Sequence, residues 1–261
     1  MTLDKMLTSL GPPQATGTPW VLLHGFAGHP LDWQPALVDG RAPAFALTLP
    51  GHGAAPEAPC ADYLQTIDAL AARLQAALPT PLHLCGYSLG ARLALGLAIR
   101  HPQLCARVTL IGVHPGLQNA ADRAARAQAD GRWQRLLHDE GIRAFLDAWE
   151  AQPLFATQLE TGRVMPAQRA AYRARRLLHQ PQMLALAHAS TSLAIMPSLW
   201  GELGRVACPV HLITGREDAK FCQIARAMCA HLPEVVHTLL PHCGHNPLLE
   251  AFGPLGAALA L

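Results

Sequence analysis

Residues 86–90 read Gly86-Tyr87-Ser88-Leu89-Gly90, a Gly-x-Ser-x-Gly pattern with an apolar run on each side. Residues 82–85 are typical of a short buried strand, and residues 91–98 have the composition of a helix. A strand, a tight turn and a helix in this order form a nucleophile elbow, which places the serine hydroxyl at the end of a sheet. Glycines on both sides of the serine leave room for the strained backbone of such a turn. We therefore predict that Ser88 is a reactive residue and that this segment is more than an ordinary strand-to-helix turn.

Strand-like and helix-like segments alternate around this motif. Four apolar runs are typical of buried strands: residues 20–23, 42–49, 82–85 and 108–113. The segments between them have helical patterns: residues from about 31, 62–78 and 91–101. This alternation predicts an α/β protein with a mostly parallel, doubly wound sheet.

The pattern changes at His114. Four helical segments follow with no convincing strand between them: residues 119–138, 142–149, 166–179 and 182–192. Alternation then resumes, with strands at 210–214 and 235–240, a helix at about 221–231 and a C-terminal helix. We therefore predict a core domain of residues 1–113 and 198–261, with residues 114–197 inserted as a helical cap.

Two further reactive side chains follow predicted strands at the same edge of the sheet. Asp218 comes after the strand at 210–214, and His245 comes after the strand at 235–240. Ligands of open α/β sheets bind beyond the carboxyl ends of the strands, and the order Ser, Asp, His is that of one known class of catalytic triad. An imidazole activates a serine hydroxyl by taking its proton, and a carboxylate orients the imidazole. Glu217 is the alternative acid, but Asp218 fits the Gly-x-x-Asp spacing better.

Backbone amides complete the predicted catalytic group. Leu89 follows Ser88 at the start of a helix, and Phe26 follows His24-Gly25 after the first predicted strand. We predict that the N–H groups of Phe26 and Leu89 form an oxyanion hole, where loss of one donor typically costs about 3 kcal/mol. The alternative is a glycine-containing loop that merely turns the chain.

Composition limits the classes of partner. The formal net charge of +2 does not favour a nucleic-acid partner, and nearly all of the positive charge is arginine. The seven cysteines are odd in number and contain no Cys-x-x-Cys pair, which favours reduced thiols over a disulfide framework or a zinc site. Residues 1–14 lack the apolar core of a signal peptide, and no segment predicts a membrane span. We expect a cytoplasmic, monomeric protein.

Taken together, these features resemble the α/β-hydrolase superfamily over nearly the whole chain. Several segments resemble one family within it more closely: residues 86–92, 114–119, 123–126, 149–156, 191–193, 197–200 and 215–221. That family is 2-succinyl-6-hydroxy-2,4-cyclohexadiene-1-carboxylate synthase of menaquinone biosynthesis. The sequence departs from the family pattern at Ala91, where glycine is usual, and at Thr48, where aspartate is usual. Neither position is a proposed catalytic residue.

The resemblance implies a lyase that removes a proton alpha to a ketone and expels pyruvate, with no metal or organic cofactor. Ser88 would act as the base, supported by His245 and Asp218, and the oxyanion hole would hold an enolate. The implied substrate is a small polycarboxylate, which guanidinium groups bind well. Arg92 lies four residues after Ser88, one turn into the helix, so it can face the site as a substrate-binding residue. The positions that match the family's site residues are Tyr87, Arg126, Trp149 and Arg176. For Arg176 the neighbouring Arg173 and Arg175 are alternatives.

Two other functions remain open from the residues alone. A carboxylesterase or thioesterase would use the same triad, with Ser88 forming an acyl-enzyme. A non-catalytic ligand-binding protein on the same fold is the second alternative, because this fold hosts many functions. The ten arginines between His114 and Trp200 favour the lyase, since a cap for simple esters would be apolar.

Overall fold

The computed structural model describes residues 6–12, 14–37, 40, 42–54, 56–160 and 162–259. Predictions that fall on the other residues lie outside this range, including the first five residues of the segment expected to lack a signal-peptide core. No helix within the described residues combines the length and the apolar character that crossing a membrane requires.

A seven-stranded sheet forms the centre of the described structure. Its strands are β1 (Leu7–Ser9), β2 (Trp20–Leu23), β3 (Ala44–Leu47), β4 (Leu82–Tyr87), β5 (Cys105–Ile111), β6 (Val210–Gly215) and β7 (Val235–Leu240). Their order across the sheet is β1-β3-β2-β4-β5-β6-β7. All neighbours are parallel except β1 and β3. The predicted mostly parallel, doubly wound sheet is confirmed.

The helices connect the strands. They are α1 (Tyr63–Ala77), α2 (Leu89–Arg100), α3 (Ala120–Asp139), α4 (Gly141–Glu150), α5 (Pro166–Arg176), α6 (Pro181–Ser190), α7 (Ala219–Cys229), α8 (Pro247–Glu250) and α9 (Phe252–Leu259). Shorter 3-10 segments span Pro30–Leu37, Pro102–Leu104, Pro153–Leu159 and Trp200–Arg205.

Two elements differ from the sequence prediction. Strand β1 was not predicted, because three partly exposed residues at a sheet edge produce no periodic pattern. The helix predicted from about residue 31 is present as a 3-10 helix, and Pro35 within it lacks the N–H group that an α-helical hydrogen bond would use.

Each face of the sheet carries its own apolar layer. In β2, Val21 and Leu23 pack into the cluster that contains Ile67 of α1, whereas Leu22 packs with Trp33 on the other face. Successive strand side chains point to opposite faces, so a strand buried on both sides is a continuous apolar run. This explains why the strand is easily recognised in the sequence.

Four helices lie between β5 and β6 in the chain. Leu137 of α3, Phe145 of α4 and Leu184 of α6 form a third apolar cluster with Ala27 of the core. We propose that residues 114–197 form a cap domain, which has one apolar contact with the core at the loop after β2.

Candidate active site

The turn at Ser88 joins the end of β4 to the start of α2. Ser88 has a φ angle of +52°, and its N–H donates to the carbonyl of Ile111 at 2.8 Å. A Cβ atom on Gly86 would collide with the carbonyl oxygen of Gly90, and one on Gly90 would collide with that of Leu23. Glycine is therefore required on both sides of Ser88 for the helix to pack this closely against the strands.

Three side chains meet at the carboxyl ends of β4, β6 and β7. His245 Nε2 lies 3.2 Å from Ser88 Oγ, and His245 Nδ1 lies 2.6 Å from Asp218 Oδ2. When Nδ1–H donates to the carboxylate, Nε2 is left as an acceptor for the serine hydroxyl. This arrangement can move a proton from Ser88 to His245.

Neighbouring groups fix the acid and the imidazole. Asp218 caps α7, because its Oδ1 accepts from the N–H of Phe221 at 3.3 Å. The Phe221 ring lies 4.3 Å from the His245 ring, centroid to centroid. On the other side, a Cβ atom on Gly112 would approach the imidazole Cε1 to 2.9 Å. The carboxylate and the ring therefore have little freedom to leave the hydrogen-bonded geometry.

The predicted oxyanion donors line the same pocket. Phe26 and Leu89 both lie beside Ser88 there, and within the described residues neither N–H group has a hydrogen-bond acceptor. Leu89 begins α2, so its N–H also carries the positive end of the helix dipole. Both amides are available to a developing negative charge.

Neutral histidines hold the loop that carries Phe26. The next residue, Ala27, has a φ angle of +54° and donates its N–H to His52 Nε2 at 3.1 Å. Its carbonyl accepts from His179 Nε2 at 3.0 Å and from Arg176 Nε at 2.9 Å. Burial is the main cause that lowers the pKa of His52 and of His179 to about 3. Both rings therefore keep an acceptor nitrogen at neutral pH.

The buried histidines predict that acid destabilises the protein. A histidine with a folded pKa of about 3 binds its proton in the unfolded chain first, at about pH 6.5. Its contribution to stability is therefore complete above pH 6.5 and is lost as the pH falls towards 3. In His179→Gln, an amide can keep both hydrogen bonds without titrating. Between pH 6 and 4, the free energy of unfolding measured with urea should fall less steeply with pH in this variant than in the wild type, by up to about 1.4 kcal/mol per pH unit. An equal pH dependence in the two proteins would contradict this.

A pocket of about 570 Å³ opens in front of Ser88. Its lining includes every site residue that the sequence predicts: the triad, Phe26, Leu89, Tyr87, Arg92, Arg126, Trp149 and Arg176. The pocket lies between the carboxyl ends of the strands and the helices that follow β5. Its size suits a small molecule.

Arg92 has an open pair of donors in the buried part of the pocket. Its Nη1 donates to the carbonyl of Thr191 at 2.6 Å, and within the described residues it has no carboxylate partner. Its Nε and Nη2 remain available as a side-on fork. Burial lowers the pKa of Arg92 to about 10, so the group stays charged at neutral pH.

Arg126 is oriented by a buried acid. Its Nε donates to Asp130 Oδ1 at 2.7 Å, one helical turn further along α3. Ser192 also hydrogen-bonds Asp130, and His188 Nε2 lies 3.5 Å from it. Both terminal nitrogens of Arg126 are left as an end-on fork, the geometry that binds a carboxylate bidentately.

Of the three neighbouring arginines on α5, only Arg176 lines the pocket. Its Nη1 pairs with Glu150 at 2.9 Å, and its guanidinium lies 4.8 Å from the centre of the Tyr172 ring. Arg173 pairs with Glu150 and Asp147, and Arg175 pairs with Asp32. Among the described residues, Nη2 of Arg176 has no hydrogen-bond acceptor, and its Nε supports the loop at Ala27.

The two predicted aromatic residues both line the pocket. The ring of Tyr87 lies 5.5 Å from that of His245. Trp149 stacks on Phe145 at 5.3 Å and meets Phe26 edge-on at 5.2 Å. Trp149 therefore joins the apolar cluster of α3, α4 and α6 to the loop that carries Phe26.

Several lining residues were not predicted as site residues, among them His114, Asp130, Thr157, His188, Ser192 and Lys220. The spacing of Arg126 and Asp130 could have indicated their pairing, because residues four apart meet on one helix face. No sequence signal could have brought His188 and Ser192 to Asp130, since they lie on a distant part of the chain.

The fold, the elbow and the three aligned side chains define a protein of the α/β-hydrolase class. In agreement, the model of the alpha/beta hydrolase family matches residues 20–255. An esterase from Thermogutta terrifontis shares the fold, with a TM-score of 0.75 over 97% of this chain and 90% of that one at 21% identity.

Closer relatives have one name in common. The chain is 34% identical to a 2-succinyl-6-hydroxy-2,4-cyclohexadiene-1-carboxylate synthase of Enterobacter sp. (strain 638), over 94% of this chain and 91% of the relative. It is 35% identical to one of Salmonella typhimurium, over 92% of each. The structure of MenH from S. aureus matches with a TM-score of 0.89 at 26% identity, over 97% of this chain and 96% of that one. The chain belongs to the alpha/beta hydrolase family and, within it, to the 2-succinyl-6-hydroxy-2,4-cyclohexadiene-1-carboxylate synthases, as the sequence resemblance predicts.

Proposed function

We propose that this protein is a lyase that converts 2-succinyl-5-enolpyruvyl-6-hydroxy-3-cyclohexene-1-carboxylate into 2-succinyl-6-hydroxy-2,4-cyclohexadiene-1-carboxylate and pyruvate. The observation that carries the proposal is the pair of open guanidinium forks on Arg92 and Arg126 in the same pocket as Ser88. A substrate with several carboxylates needs such groups, whereas a simple ester does not.

The proposed mechanism uses the triad as a base. Ser88 Oγ takes the ring proton alpha to the succinyl ketone while His245 accepts the hydroxyl proton, and Asp218 stabilises the charged imidazole. Negative charge develops on the ketone oxygen, where the N–H groups of Phe26 and Leu89 bind the enolate. The electron pair then moves through the ring double bond and breaks the bond to the enolpyruvyl oxygen. The departing enolpyruvate takes up a proton and becomes pyruvate.

The substrate-binding residues have distinct proposed roles. Arg92 binds one carboxylate through Nε and Nη2 in the buried part of the pocket. Arg126 binds another through its two terminal nitrogens. Tyr87 and Trp149 supply the apolar walls for the ring. Arg176 contributes one donor and holds the carbonyl of Ala27, which keeps the oxyanion loop in place.

A coupled assay tests this function. The substrate is made in situ, and pyruvate release is followed together with the absorbance of the diene product. Stoichiometric appearance of both signals supports the lyase. The protein would be assigned to the esterases instead if neither signal appears, nitrophenyl esters are turned over and mass spectrometry detects an acyl-serine adduct.

Removal of either open fork should weaken transition-state binding. We expect Arg92→Ala and Arg126→Ala each to lower kcat/KM. The loss should correspond to about 1.5–3 kcal/mol of transition-state stabilisation, the size of a hydrogen bond to a charged group. Arg132→Ala is the matched control, because Arg132 is exposed on the same helix as Arg126 and lies outside the pocket. Near-normal turnover by both pocket variants would show that the carboxylates bind elsewhere.

A further inference from the structure

Lys220 lies at the mouth of the pocket. It is an exposed residue in the first turn of α7, two residues after Asp218, and it lines the same pocket as Ser88. Its Nζ lies 5.8 Å from the centre of the Phe221 ring, and that ring lies 4.3 Å from the His245 ring and 6.5 Å from the His114 ring. The ammonium group is therefore placed on the His245 side of the pocket.

The basic side chains of the pocket differ in whether they are paired with a carboxylate. Four basic side chains line it, namely Arg92, Arg126, Arg176 and Lys220. Arg126 is paired with Asp130, and Arg176 is paired with Glu150. In the described part of the chain, no carboxylate lies within ion-pair distance of Arg92 or Lys220.

The pKa of His114 indicates that these positive charges affect the same part of the pocket. Burial is the main cause that lowers the pKa of His114 to about 4, followed by the positive charges of Lys220, Arg92 and Arg126. An anion that enters the pocket therefore meets a shared positive field. The forks of Arg92 and Arg126 account for two carboxylates, whereas the substrate of the proposed function has three.

We propose that Lys220 binds the third carboxylate, the one on the enolpyruvyl group that leaves as pyruvate. This rests on the proposed function. Arg92 is buried, so it suits a carboxylate that stays on the ring product, while Lys220 is exposed at the mouth through which a small fragment departs. An exposed ammonium also holds its partner more weakly than a buried guanidinium does, which favours release.

The test compares substrate with product. In Lys220→Gln, KM for the substrate should rise by between about threefold and tenfold, the effect of one partly screened charge pair. The inhibition constant of the ring product, which lacks the enolpyruvyl carboxylate, should stay at the wild-type value. Lys220→Arg should restore most of the loss. Arg216→Gln is the matched control, because it removes a positive charge from an exposed residue just before α7, outside the pocket.

Each contrary outcome has a separate meaning. A wild-type KM in Lys220→Gln, with the wild-type enzyme active, would overturn the role of Lys220 and leave the proposed function intact. An equal rise in the product inhibition constant would show that Lys220 binds a carboxylate that the product retains. An equal rise of KM in Arg216→Gln would show that the effect comes from the overall positive charge near the pocket and would overturn direct binding by Lys220. Failure of the wild-type protein to release pyruvate would overturn both proposals.

Discussion

Ser88→Ala is expected to fold as the wild type does and to lose about 10²- to 10⁴-fold in kcat, the range of a positioned acid–base group. The hydroxyl oxygen is the only reactive atom removed, while the Cβ and the strained φ angle of +52° are common to both residues. Without Oγ, His245 Nε2 has no hydroxyl to deprotonate at the pocket floor. The measurement is pyruvate release in the coupled assay, together with the melting temperature and the binding of the ring product.

The control for this variant removes a buried hydroxyl elsewhere. Ser190 Oγ donates to the carbonyl of Ala187 within α6, outside the pocket in front of Ser88. Ser190→Ala should keep its activity. An active Ser88→Ala enzyme would exclude Ser88 as the base and leave His245 as the group that takes the carbon-bound proton.

The elbow could be predicted because its causes are local. Gly86 and Gly90 are required by contacts within a few residues and with the adjacent strand, and the apolar runs on both sides are short and continuous. Arg92 follows from the same segment, since a residue one helical turn after Ser88 lies on the same side of α2. These positions needed only the periodicities of strand and helix.

The surroundings of the arginines could not be predicted in this way. Asp130 on α3 meets Ser192 only when α3 and α6 pack against each other, and His179, which follows α5, reaches Ala27 in the loop after β2. Such contacts depend on tertiary packing, which one sequence does not determine. The choice among the arginines of α5 depended on helix rotation: Tyr172 and Arg176, four residues apart, are the buried pair.

Asp218→Asn should lower kcat by about 10³- to 10⁴-fold while changing stability little. Asp218 accepts two hydrogen bonds, one from the N–H of Phe221 and one from His245 Nδ1. Asparagine is also a good helix N-cap, so the first contact and α7 should persist. When the amide oxygen of the asparagine accepts from the N–H of Phe221, the amide NH₂ faces the imidazole. Nδ1 of His245 must then be a hydrogen-bond acceptor. The ring proton then moves to Nε2, which can no longer accept the Ser88 hydroxyl proton.

Glu217→Gln separates this effect from the loss of a nearby charge. Glu217 lines the same pocket and pairs with Arg163 at 3.0 Å. If Asp218 orients the imidazole, Glu217→Gln should keep most of the activity, because the tautomer of His245 is unaffected. Equal losses in both variants would mean that the carboxylates act only through their charge. A normal Asp218→Asn enzyme would mean that Nε2 of His245 need not accept a proton, and the base would then have to be sought outside these three side chains.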